Sequence, residues 1–300
     1  MGTMTEQRTA YIAIVGRPNV GKSTLMNTLL GEKIAIVSNK PQTTRNRIIG
    51  ILTRGDDQFV FLDTPGIFKP RNALGEFMVR TADATVGDSD VAILMVDATA
   101  GITSVEEGII ENVKRSGIPC ILAVNKTDLA DAATVAACLE TYSSRYDFDA
   151  YVPLCAKNGK GSEALLDECA KFLVEGGWLF PEDMMTDQPM RQVAAEIIRE
   201  KILRTLDKEV PHGVAVVIEE FKQEEGLTRI RAEIFCEKES HKGIIVGKGG
   251  VELKRIGSYA RADLEKMLGN KVYLNLWVKV KENWRDSAKA VTNFGYNNED

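Results

Sequence analysis

Eight residues at 16–23, GRPNVGKS, combine the residue types that bind phosphate: glycines, a lysine and a serine. They follow an apolar run and precede LMNTLL, which favours a helix. Glycines let backbone N–H groups curve around phosphate oxygens, and a helix N-terminus adds positive potential there. Lys22 can then reach the outer phosphates, and the Ser23 hydroxyl can bind Mg²⁺. The spacing therefore predicts a phosphate-binding loop rather than a glycine-rich turn that matches by accident.

DTPG at 63–66 also follows an apolar run. Asp63 stands where a carboxylate can hold the metal ion through water, and the N–H of Gly66 can contact a terminal phosphate. Alone, such a tetrapeptide is equally well a plain turn. After a phosphate-binding loop, it indicates the metal side of a nucleoside triphosphate site.

NKTD at 125–128 supplies a means of choosing the base. The Asp128 carboxylate can accept both the N1–H and the 2-amino group of guanine, and adenine offers neither of these donors. We expect Asn125 to brace the loop and bond the base edge, and the stem of Lys126 to cover the ring. Asn-Lys-x-Asp is also a common polar turn, but its place after an apolar run favours guanine recognition.

Together with CAKNGKG at 155–161, these motifs stand in the order found in Ras-like GTPases of the translation-factor class, which this half of the sequence resembles. The resemblance implies GTP or GDP with Mg²⁺ as ligands. It also implies that Thr44 completes the Mg²⁺ shell, with Thr43 as the alternative. Backbone N–H groups of Ala156 and Lys157 would meet guanine O6. Cys155 stands where the family usually has serine, so we expect weaker bracing without loss of binding.

The resemblance assigns three sets of residues. Those expected to bind nucleotide are Asn19, Val20, Gly21, Lys22, Ser23, Thr24, Asp63, Asn125, Lys126, Asp128, Cys155, Ala156 and Lys157. Those expected to bind metal are Ser23, Thr44 and Asp63. Those expected to act in catalysis are Lys22, Thr44 and Gly66.

The sequence departs from that family at the hydrolysis step. Ras-like members place a water-orienting glutamine directly after the glycine of DTPG, but here the residue is Ile67. Isoleucine cannot orient water, so we expect slow hydrolysis unless another group, an ion or a partner orders the switch segments at 38–50 and 66–80. Asn19 resembles the asparagine that ligates K⁺ in potassium-activated relatives, and the alternative is a simple loop brace.

The second half contains HKGIIVGKGG at 241–250, which resembles the Ile-x-x-Gly-x-x-Gly loop of a KH domain. In KH modules the glycines let an RNA backbone approach, and about four nucleotides lie along an apolar groove. Residues 241–281 hold nine Lys and Arg against three Asp and Glu, an excess that attracts a phosphate backbone. A tight helix–helix turn is the alternative for GxxG alone. We expect Ile244, Ile245 and Val246 to begin the helix that floors the groove. The expected RNA-binding residues are Lys242, Ile245, Gly247, Lys248, Gly249, Gly250, Lys254 and Arg255.

These motifs need a scaffold of alternating strands and helices. From residue 11 to about 176, Val- and Ile-rich runs alternate with helix-length segments, which predicts an α/β fold with a mixed six-stranded sheet. Only GDDQ joins the second strand to the third, so these two should be antiparallel. The predicted strands are 11–15, 48–54, 58–63, 91–97, 120–125 and 150–155. The first predicted helix begins after residue 22, and the others lie at about 74–87, 104–116, 132–146 and 162–176.

Gly-Gly, two prolines and acidic residues interrupt this periodicity at 175–189. We predict a Ras-like GTPase domain over 1–178, a linker over 179–189, and an α+β type-II KH domain with a C-terminal tail over 190–300. Trp277 alternates with polar neighbours, so we expect it to pack in the sheet rather than stack on a base. The elements predicted in the second domain are a helix at 189–209, strands at 213–222 and 228–237, a helix at 250–268 and a strand at 271–281, with a closing helix and tail at 282–300.

Composition agrees with two globular domains. The 300 residues are 44% hydrophobic and 27% charged, which excludes a disordered or fibrous chain, and the net charge of −5 excludes a strongly basic nucleic-acid binder. Five cysteines without CxxC spacing, with two histidines, argue against a disulfide scaffold or a zinc site. No apolar run reaches the roughly 18 residues of a membrane span, and the polar N-terminus lacks a signal-peptide core. We expect a cytoplasmic protein.

Over residues 10–296 the chain resembles a bacterial family of Ras-like GTPases that carry a C-terminal KH domain, with SNKPQTTRNR, FLDTPG, NKTD, EIIREKILR, VGKGG and LWVKVK as the shared motifs. The resemblance implies binding to the 3′ end of small-subunit ribosomal RNA, maturation of the small ribosomal subunit, and peripheral association with the inner membrane, for which the sequence shows no anchor. We expect a monomer. The alternatives are an RNA-binding assembly scaffold with incidental GTP hydrolysis, which Ile67 favours, and a GTPase whose second domain binds protein.

Overall fold

The structure, a computed structural model, describes residues 6–297. The chain divides into two compact units. The first reaches residue 187 but omits 71–75, and the second combines 71–75 with the residues from 188 onward. Residues 1–5 and 298–300 of the predicted domains lie outside the described part. No helix among residues 6–297 is both long and apolar enough to cross a lipid bilayer.

The first unit is built on a sheet whose six long strands follow the order β2-β3-β1-β4-β5-β6. Neighbouring strands are parallel except β2 and β3, which are antiparallel. The mixed sheet and the antiparallel pair are therefore confirmed. The strands are β1 (Arg8–Val15), β2 (Ile48–Arg54), β3 (Asp57–Asp63), β4 (Val91–Asp97), β5 (Cys120–Asn125) and β6 (Ala150–Pro153).

Helices cover both faces of this sheet because its strands are apolar on both sides. In β1, Ile12 and Ile14 face the core under α1 and α5, whereas Ala13 and Val15 face the core under α2, α3 and α4. Such strands are expected of a parallel sheet buried between two helical layers. The helices are α1 (Lys22–Leu30), α2 (Ala73–Gly87), α3 (Ser104–Ser116), α4 (Ala132–Ser143) and α5 (Ser162–Ala170).

A seventh strand, β7 (Val174–Glu175), corrects the prediction of six strands and of a helix running to 176. β4 pairs with β1 only over Ile12–Val15, so the start of β1 is left open on that side. The chain leaves α5 at Ala170 and pairs β7 antiparallel with Arg8 and Thr9. Because α5 ends there, the chain can satisfy backbone groups that a longer helix would leave without partners.

Residues 178–185 pack along the antiparallel edge of the first sheet. The Trp178 indole donates to the carbonyl of Asp56 at 3.0 Å, and the N–H of Ile51 in β2 donates to the carbonyl of Met185 at 2.9 Å. Phe180 packs on the apolar side chains of β2 and β3. Most of the segment predicted as a linker is therefore anchored to the first unit.

The second unit contains a three-stranded sheet in the order β10-β9-β8, with β9 antiparallel to β8 and parallel to β10. α6 and α8 pack on one face of it around an apolar core. The order of elements is that of the predicted type-II KH fold. The elements are α6 (Met190–Thr205), β8 (Ala215–Glu224), β9 (Leu227–Cys236), α7 (Glu239–Val246), α8 (Val251–Leu268), β10 (Lys271–Val280) and α9 (Ala288–Asn293).

The segment after β10 packs on the opposite face of this sheet. Trp284 is fully buried, and its indole N–H donates to the carbonyl of Gly213 at 2.9 Å. Phe294, just after α9, lies with its ring centroid 4.7 Å from that of Phe235 in β9. The closing helix therefore covers one end of the sheet.

Candidate nucleotide-binding site and nucleic-acid interface

The phosphate-binding loop leads from β1 into α1, and two of its glycines have no room for a side chain. A Cβ on Gly16 would lie 2.3 Å from the carbonyl oxygen of Met95 in β4. A Cβ on Gly21 would lie 2.4 Å from Nδ2 of Asn125 at the end of β5, and its φ of +110° is itself unfavourable for other residues. The loop is therefore held tightly against the carboxyl ends of two neighbouring strands.

Lys22 bridges the loop from within. Its buried Nζ donates to the carbonyls of Gly16 and Arg17, both at 3.0 Å. Burial lowers the pKa of Lys22 to about 8, although nearby Asp63 raises it. An anion in the loop would favour the charged form, so Lys22 can exchange these carbonyls for phosphate oxygens.

Three oxygen-bearing side chains meet at the start of α1. The Ser23 hydroxyl donates to Asp63 Oδ2 at 2.5 Å and lies 2.9 Å from the Thr44 hydroxyl, which donates to the same carboxylate oxygen at 3.4 Å. The other carboxylate oxygen, Oδ1, is buried and has no hydrogen-bond partner among the described residues. Two hydroxyls and a carboxylate with an unsatisfied oxygen form a hard donor set that fits Mg²⁺.

The structure thus brings together the three residues predicted to bind metal. The alternative, Thr43, instead donates to the carbonyl of Lys40 at 2.7 Å. Burial raises the pKa of Asp63 to about 6, while Lys22 and the hydroxyls of Ser23 and Thr44 lower it. A bound cation would stabilise the ionised carboxylate further.

Residues 36–44 border the phosphate-binding loop and form a cavity with it. The Asn19 side chain donates from Nδ2 to the carbonyl of Asn39 at 2.9 Å, which joins the loop to this segment. Thr24 also lines the cavity. The full lining is Pro18, Asn19, Gly21, Lys22, Ser23, Thr24, Ile36, Val37, Ser38, Gln42, Thr43, Thr44 and Gly66.

DTPG leaves β3 and passes directly over the loop. A Cβ on Gly66 would lie 2.6 Å from the backbone nitrogen of Pro18, so only glycine fits. The N–H of Ile67 donates to the carbonyl of Gly16 at 3.2 Å. The Ile67 side chain is partly buried against the core under α3 and α4. Because it is aliphatic, it neither donates nor accepts a hydrogen bond and cannot hold a water molecule as a glutamine would.

Asn125 joins the phosphate-binding loop to the loop after β6. Its Nδ2 donates to the carbonyl of Val20 at 2.7 Å, and its Oδ1 accepts the N–H of Ala156 at 2.9 Å. The Thr28 hydroxyl holds the same region by donating to the carbonyl of Ala156 at 2.6 Å. The bracing role expected of Asn125 is therefore visible in its contacts.

Asp128, Cys155 and Lys126 surround the expected place of the base. The Cys155 thiol lies 3.2 Å from Asp128 Oδ1, so it can hold the carboxylate as a serine would. Lys126 has φ of +64° and pairs with Asp97 at 2.6 Å. Burial alone would raise the pKa of Asp97, but hydrogen bonds from Lys126 and Thr99 lower it overall.

Sequence reasoning missed Glu106, which positions the phosphate-binding loop from α3. Its buried carboxylate forms an ion pair with Arg17 and accepts the N–H of Thr103 at 3.0 Å in a capping box. A signal was present, because Thr-Ser-Val-Glu is a capping-box pattern. Only the fold shows that the same carboxylate also reaches Arg17.

The GxxG motif forms the turn between α7 and α8. Gly247, Gly249 and Gly250 all have positive φ, between +64° and +81°. A Cβ on Gly247 would lie 2.9 Å from the backbone nitrogen of Glu252, whereas one on Gly249 or Gly250 would meet open space. Exposed Lys248 lies at the tip, and half-buried Lys242 lies on α7. The turn therefore offers bare backbone beside a cation, which suits a phosphate chain.

A groove runs from this turn between α8 and β10. Lys254 and Arg261 place cations along it, with apolar and small residues beneath. Most of its lining was missed, although glycines and apolar residues recur on α8 at helical spacing. The lining is Gly250, Leu253, Lys254, Gly257, Ser258, Arg261, Val272, Tyr273, Leu274 and Leu276.

Four expectations about this unit need correction. Ile245 has 0% exposure, so its side chain belongs to the core and does not meet RNA, and Ile244–Val246 end α7 rather than begin the helix under the groove. Arg255 lies on another side of α8, where it pairs with Glu252 and donates to the carbonyl of Thr205 at 3.3 Å. Trp277 is 60% exposed instead of packed.

Each of the two units matches a known protein family. Residues 11–126 match the family model described as 50S ribosome-binding GTPase, and residues 209–285 match the KH domain. GTPase Era of Ruminiclostridium cellulolyticum is 47% identical over 96% of this chain and 97% of its own length. GTPase Era of Clostridium kluyveri is 48% identical over 96% of this chain and 99% of its own.

Two solved structures agree over nearly the whole chain. An Era variant from Aquifex aeolicus bound to GDP and AlF4⁻ superposes with a TM-score of 0.93 at 42% identity, covering 97% of this chain and 99% of that one. Era in complex with MgGDPNP and nucleotides 1506–1542 of 16S ribosomal RNA superposes with a TM-score of 0.94 at the same identity and coverage. The resemblance inferred from the motifs is thereby confirmed, and the chain belongs to the Era family of GTP-hydrolysing GTPases.

Proposed function

We propose that this GTPase is a switch that binds the 3′ end of small-subunit ribosomal RNA in the groove between α8 and β10 and acts in assembly of the small ribosomal subunit. One observation carries the proposal: a single chain holds both an oxygen cluster suited to Mg²⁺ and a GxxG turn that opens into a basic, apolar-floored groove. The relative solved with MgGDPNP and a 16S RNA segment supports the pairing of these two ligands.

In the nucleotide site, Ser23, Thr44 and Asp63 would hold Mg²⁺. When bound, the ion neutralises charge that develops on the β- and γ-phosphates. Lys22 gives up the carbonyls of Gly16 and Arg17 and binds phosphate oxygens instead. Asp128 accepts the N1–H and 2-amino groups of guanine, and the Cys155 thiol keeps its carboxylate in place.

The attacking water needs an orienting group other than Ile67. Asn19 already links the phosphate-binding loop to residues 36–44, and its amide oxygen is a suitable K⁺ ligand beside the phosphates. We infer that a bound K⁺ or RNA-dependent ordering of the switch segments replaces the missing glutamine. Equal rates of GTP hydrolysis in Na⁺ and in K⁺ would rule out a role for K⁺.

The scaffold alternative retains one specific support, the partly buried side chain of Ile67. Multiple-turnover GTP hydrolysis, measured with and without a 3′ fragment of 16S RNA, distinguishes the switch from the scaffold. A switch predicts faster turnover with the fragment, with a scrambled RNA of equal length as the control. A scaffold predicts no stimulation.

A further inference from the structure

Glu106 at the start of α3 has a buried carboxylate whose two oxygens have different partners. Oε2 accepts the N–H of Thr103 at 3.0 Å and also its hydroxyl, which closes the capping box of α3. Oε1 forms an ion pair with Nε of Arg17 in the phosphate-binding loop. Only 1% of the Glu106 side chain is exposed. One carboxylate therefore caps a helix and also holds the loop.

The ion pair lies near α4. Tyr142 of α4 is buried, and burial raises the pKa of its hydroxyl above the ordinary value. The negative charge of Glu106 raises this pKa further, whereas the positive charge of Arg17 lowers it, so both charges act on the hydroxyl. The pair is therefore partly shielded from water, and removal of one charge leaves the other without its partner. Such a pair holds the loop at a fixed distance from α3.

The ion pair holds a short segment, residues 16–18, against which DTPG lies. The Gly16 carbonyl accepts the N–H of Ile67 at 3.2 Å. A Cβ on Gly66 would lie 2.6 Å from the backbone nitrogen of Pro18, so the two backbones pass close to each other. A shift of residues 16–18 would therefore also displace DTPG.

We propose that Glu106, acting through Arg17, is a positioning residue for GTP hydrolysis, because it fixes residues 16–18 and thereby sets DTPG beside the terminal phosphate. The inference rests on the predicted contact of the Gly66 N–H with that phosphate. GDP has no terminal phosphate, and its two phosphates need only Lys22 and the backbone N–H groups at the start of α1. Loss of the ion pair should therefore slow hydrolysis and leave the affinity for GDP unchanged.

Capping of α3 is the simpler role for Glu106, and two substitutions separate the two roles. Glutamine also serves at this position of a capping box, because its amide oxygen accepts the same N–H. Glu106→Gln therefore keeps the cap and removes the charge that pairs with Arg17. Thr103→Ala does the opposite, since it removes the capping hydroxyl and leaves both members of the ion pair in place.

The test uses the full-length protein with Mg²⁺ and without RNA, below the melting temperature of every variant. Single-turnover hydrolysis gives the rate at saturating GTP, and competition against a fluorescent nucleotide gives the Kd for GDP. We expect Glu106→Gln to hydrolyse GTP about 10- to 100-fold more slowly, since a misplacement of about 1 Å at a reacting centre can cost about 100-fold. Its Kd for GDP should stay within about threefold of the wild type. Thr103→Ala should lower the melting temperature and keep the wild-type rate.

Glu107→Gln is the matched control, because it removes the same charge one residue further along α3. Glu107 pairs with Arg145 at 3.5 Å, and both side chains are about half exposed. Such a surface pair contributes little, so this variant should keep the wild-type rate and Kd for GDP. Arg17→Met combined with Glu106→Gln leaves neither member of the buried pair as an unpaired charge, and this double variant should be no slower than Glu106→Gln alone.

Three results would overturn the inference. A wild-type rate of hydrolysis in Glu106→Gln would show that the carboxylate only caps α3. An equal loss of GDP affinity and of rate would show that the pair braces the whole loop rather than DTPG. A double variant slower than Glu106→Gln would show that Arg17 acts independently of the carboxylate.

These results do not depend on the proposed RNA binding, because no RNA is present. The RNA proposal has a separate test, in which Gly247→Asp is combined with Lys248→Asp. An unchanged Kd for the 16S RNA segment would show that the groove between α8 and β10 does not bind RNA, and it would leave the inference about Glu106 intact.

Discussion

We propose that Asp128 selects guanine, because its carboxylate can accept two hydrogen bonds from donors that only guanine presents together. We expect Asp128→Asn to weaken GTP binding by about 100-fold or more, because the amide presents N–H groups where acceptors are needed. Xanthosine triphosphate, with an oxygen in place of the 2-amino group, should bind this variant better than GTP does. Competition against a fluorescent nucleotide measures both affinities, and an unchanged preference for GTP would contradict the assignment.

We propose that Cys155 is a positioning residue that acts through Asp128. Cys155→Ala removes the contact of 3.2 Å and should cost about 1 kcal/mol of GTP binding, the usual worth of one hydrogen bond. Cys155→Ser should restore wild-type affinity, because a hydroxyl donates in the same place. If alanine and serine variants bind GTP equally well, the thiol has no part in holding the carboxylate.

Asp63 should give the nucleotide-free protein a distinctive pH dependence. Its pKa is raised from 3.8 to about 6, mainly by burial, so the folded state takes up a proton at higher pH than the unfolded state. The stability that this proton provides is complete below pH about 4 and is lost as pH rises through 6. Urea unfolding from pH 4 to 8 should show this loss in the wild type and not in Asp63→Asn. Parallel pH profiles for the two proteins would contradict the buried carboxylate.

At the scale of elements, α8 provides a direct comparison between two neighbouring cations. Lys254 lines the groove, whereas Arg255 lies against α6. We expect Lys254→Glu to weaken binding of 16S RNA by about tenfold through lost phosphate contact and added repulsion, and to reduce the salt dependence. Arg255→Glu carries the same change of charge and should have a much smaller effect. Equal losses would mean that long-range charge, not the groove, controls affinity.

The sequence predicts the strands that have a local pattern of apolar residues, but it does not predict β7. Ile12 and Val15 lie in apolar runs whose length and flanks identify buried strands, and the motifs at strand ends follow from those runs. β7 has only two residues and no periodicity, and it exists because the start of β1 lacks a neighbour on one side. Such a strand follows from tertiary pairing, which no local pattern encodes.

The errors around the groove between α8 and β10 have a similar origin. Alternation in β10 correctly separates two faces, but it does not say which face a helix covers. The expectation that Trp277 packs in the sheet is therefore wrong, because its side chain is exposed. The motif puts Ile245 beside GxxG, yet its position on α7 turns it into the core. Arg255 and Lys254 are adjacent in sequence but lie on different sides of α8, because successive side chains are rotated by about 100° around a helix axis.

In the whole molecule, nucleotide and RNA can influence each other's binding only if each ligand binds one state of the protein better than another. Thermodynamic linkage then requires the effect to be reciprocal. RNA that favours the GTP-bound state should therefore tighten GTP binding by the same factor by which GTP tightens RNA binding. Titrating the fluorescent nucleotide with and without saturating RNA measures the first factor, and a factor of one would show that the two sites are not coupled.

The proposed switch is tested most directly by the affinity of the full-length protein for the 16S RNA segment in two nucleotide states. Anisotropy titrations with GDPNP and with GDP, both with Mg²⁺ and at one salt concentration, give two Kd values. A nucleotide-dependent switch should bind the segment more tightly with GDPNP, by about 5- to 150-fold, the usual range of coupling between sites. Equal Kd values in the two states would contradict the proposal of a switch, because a switch requires an RNA affinity that depends on the bound nucleotide.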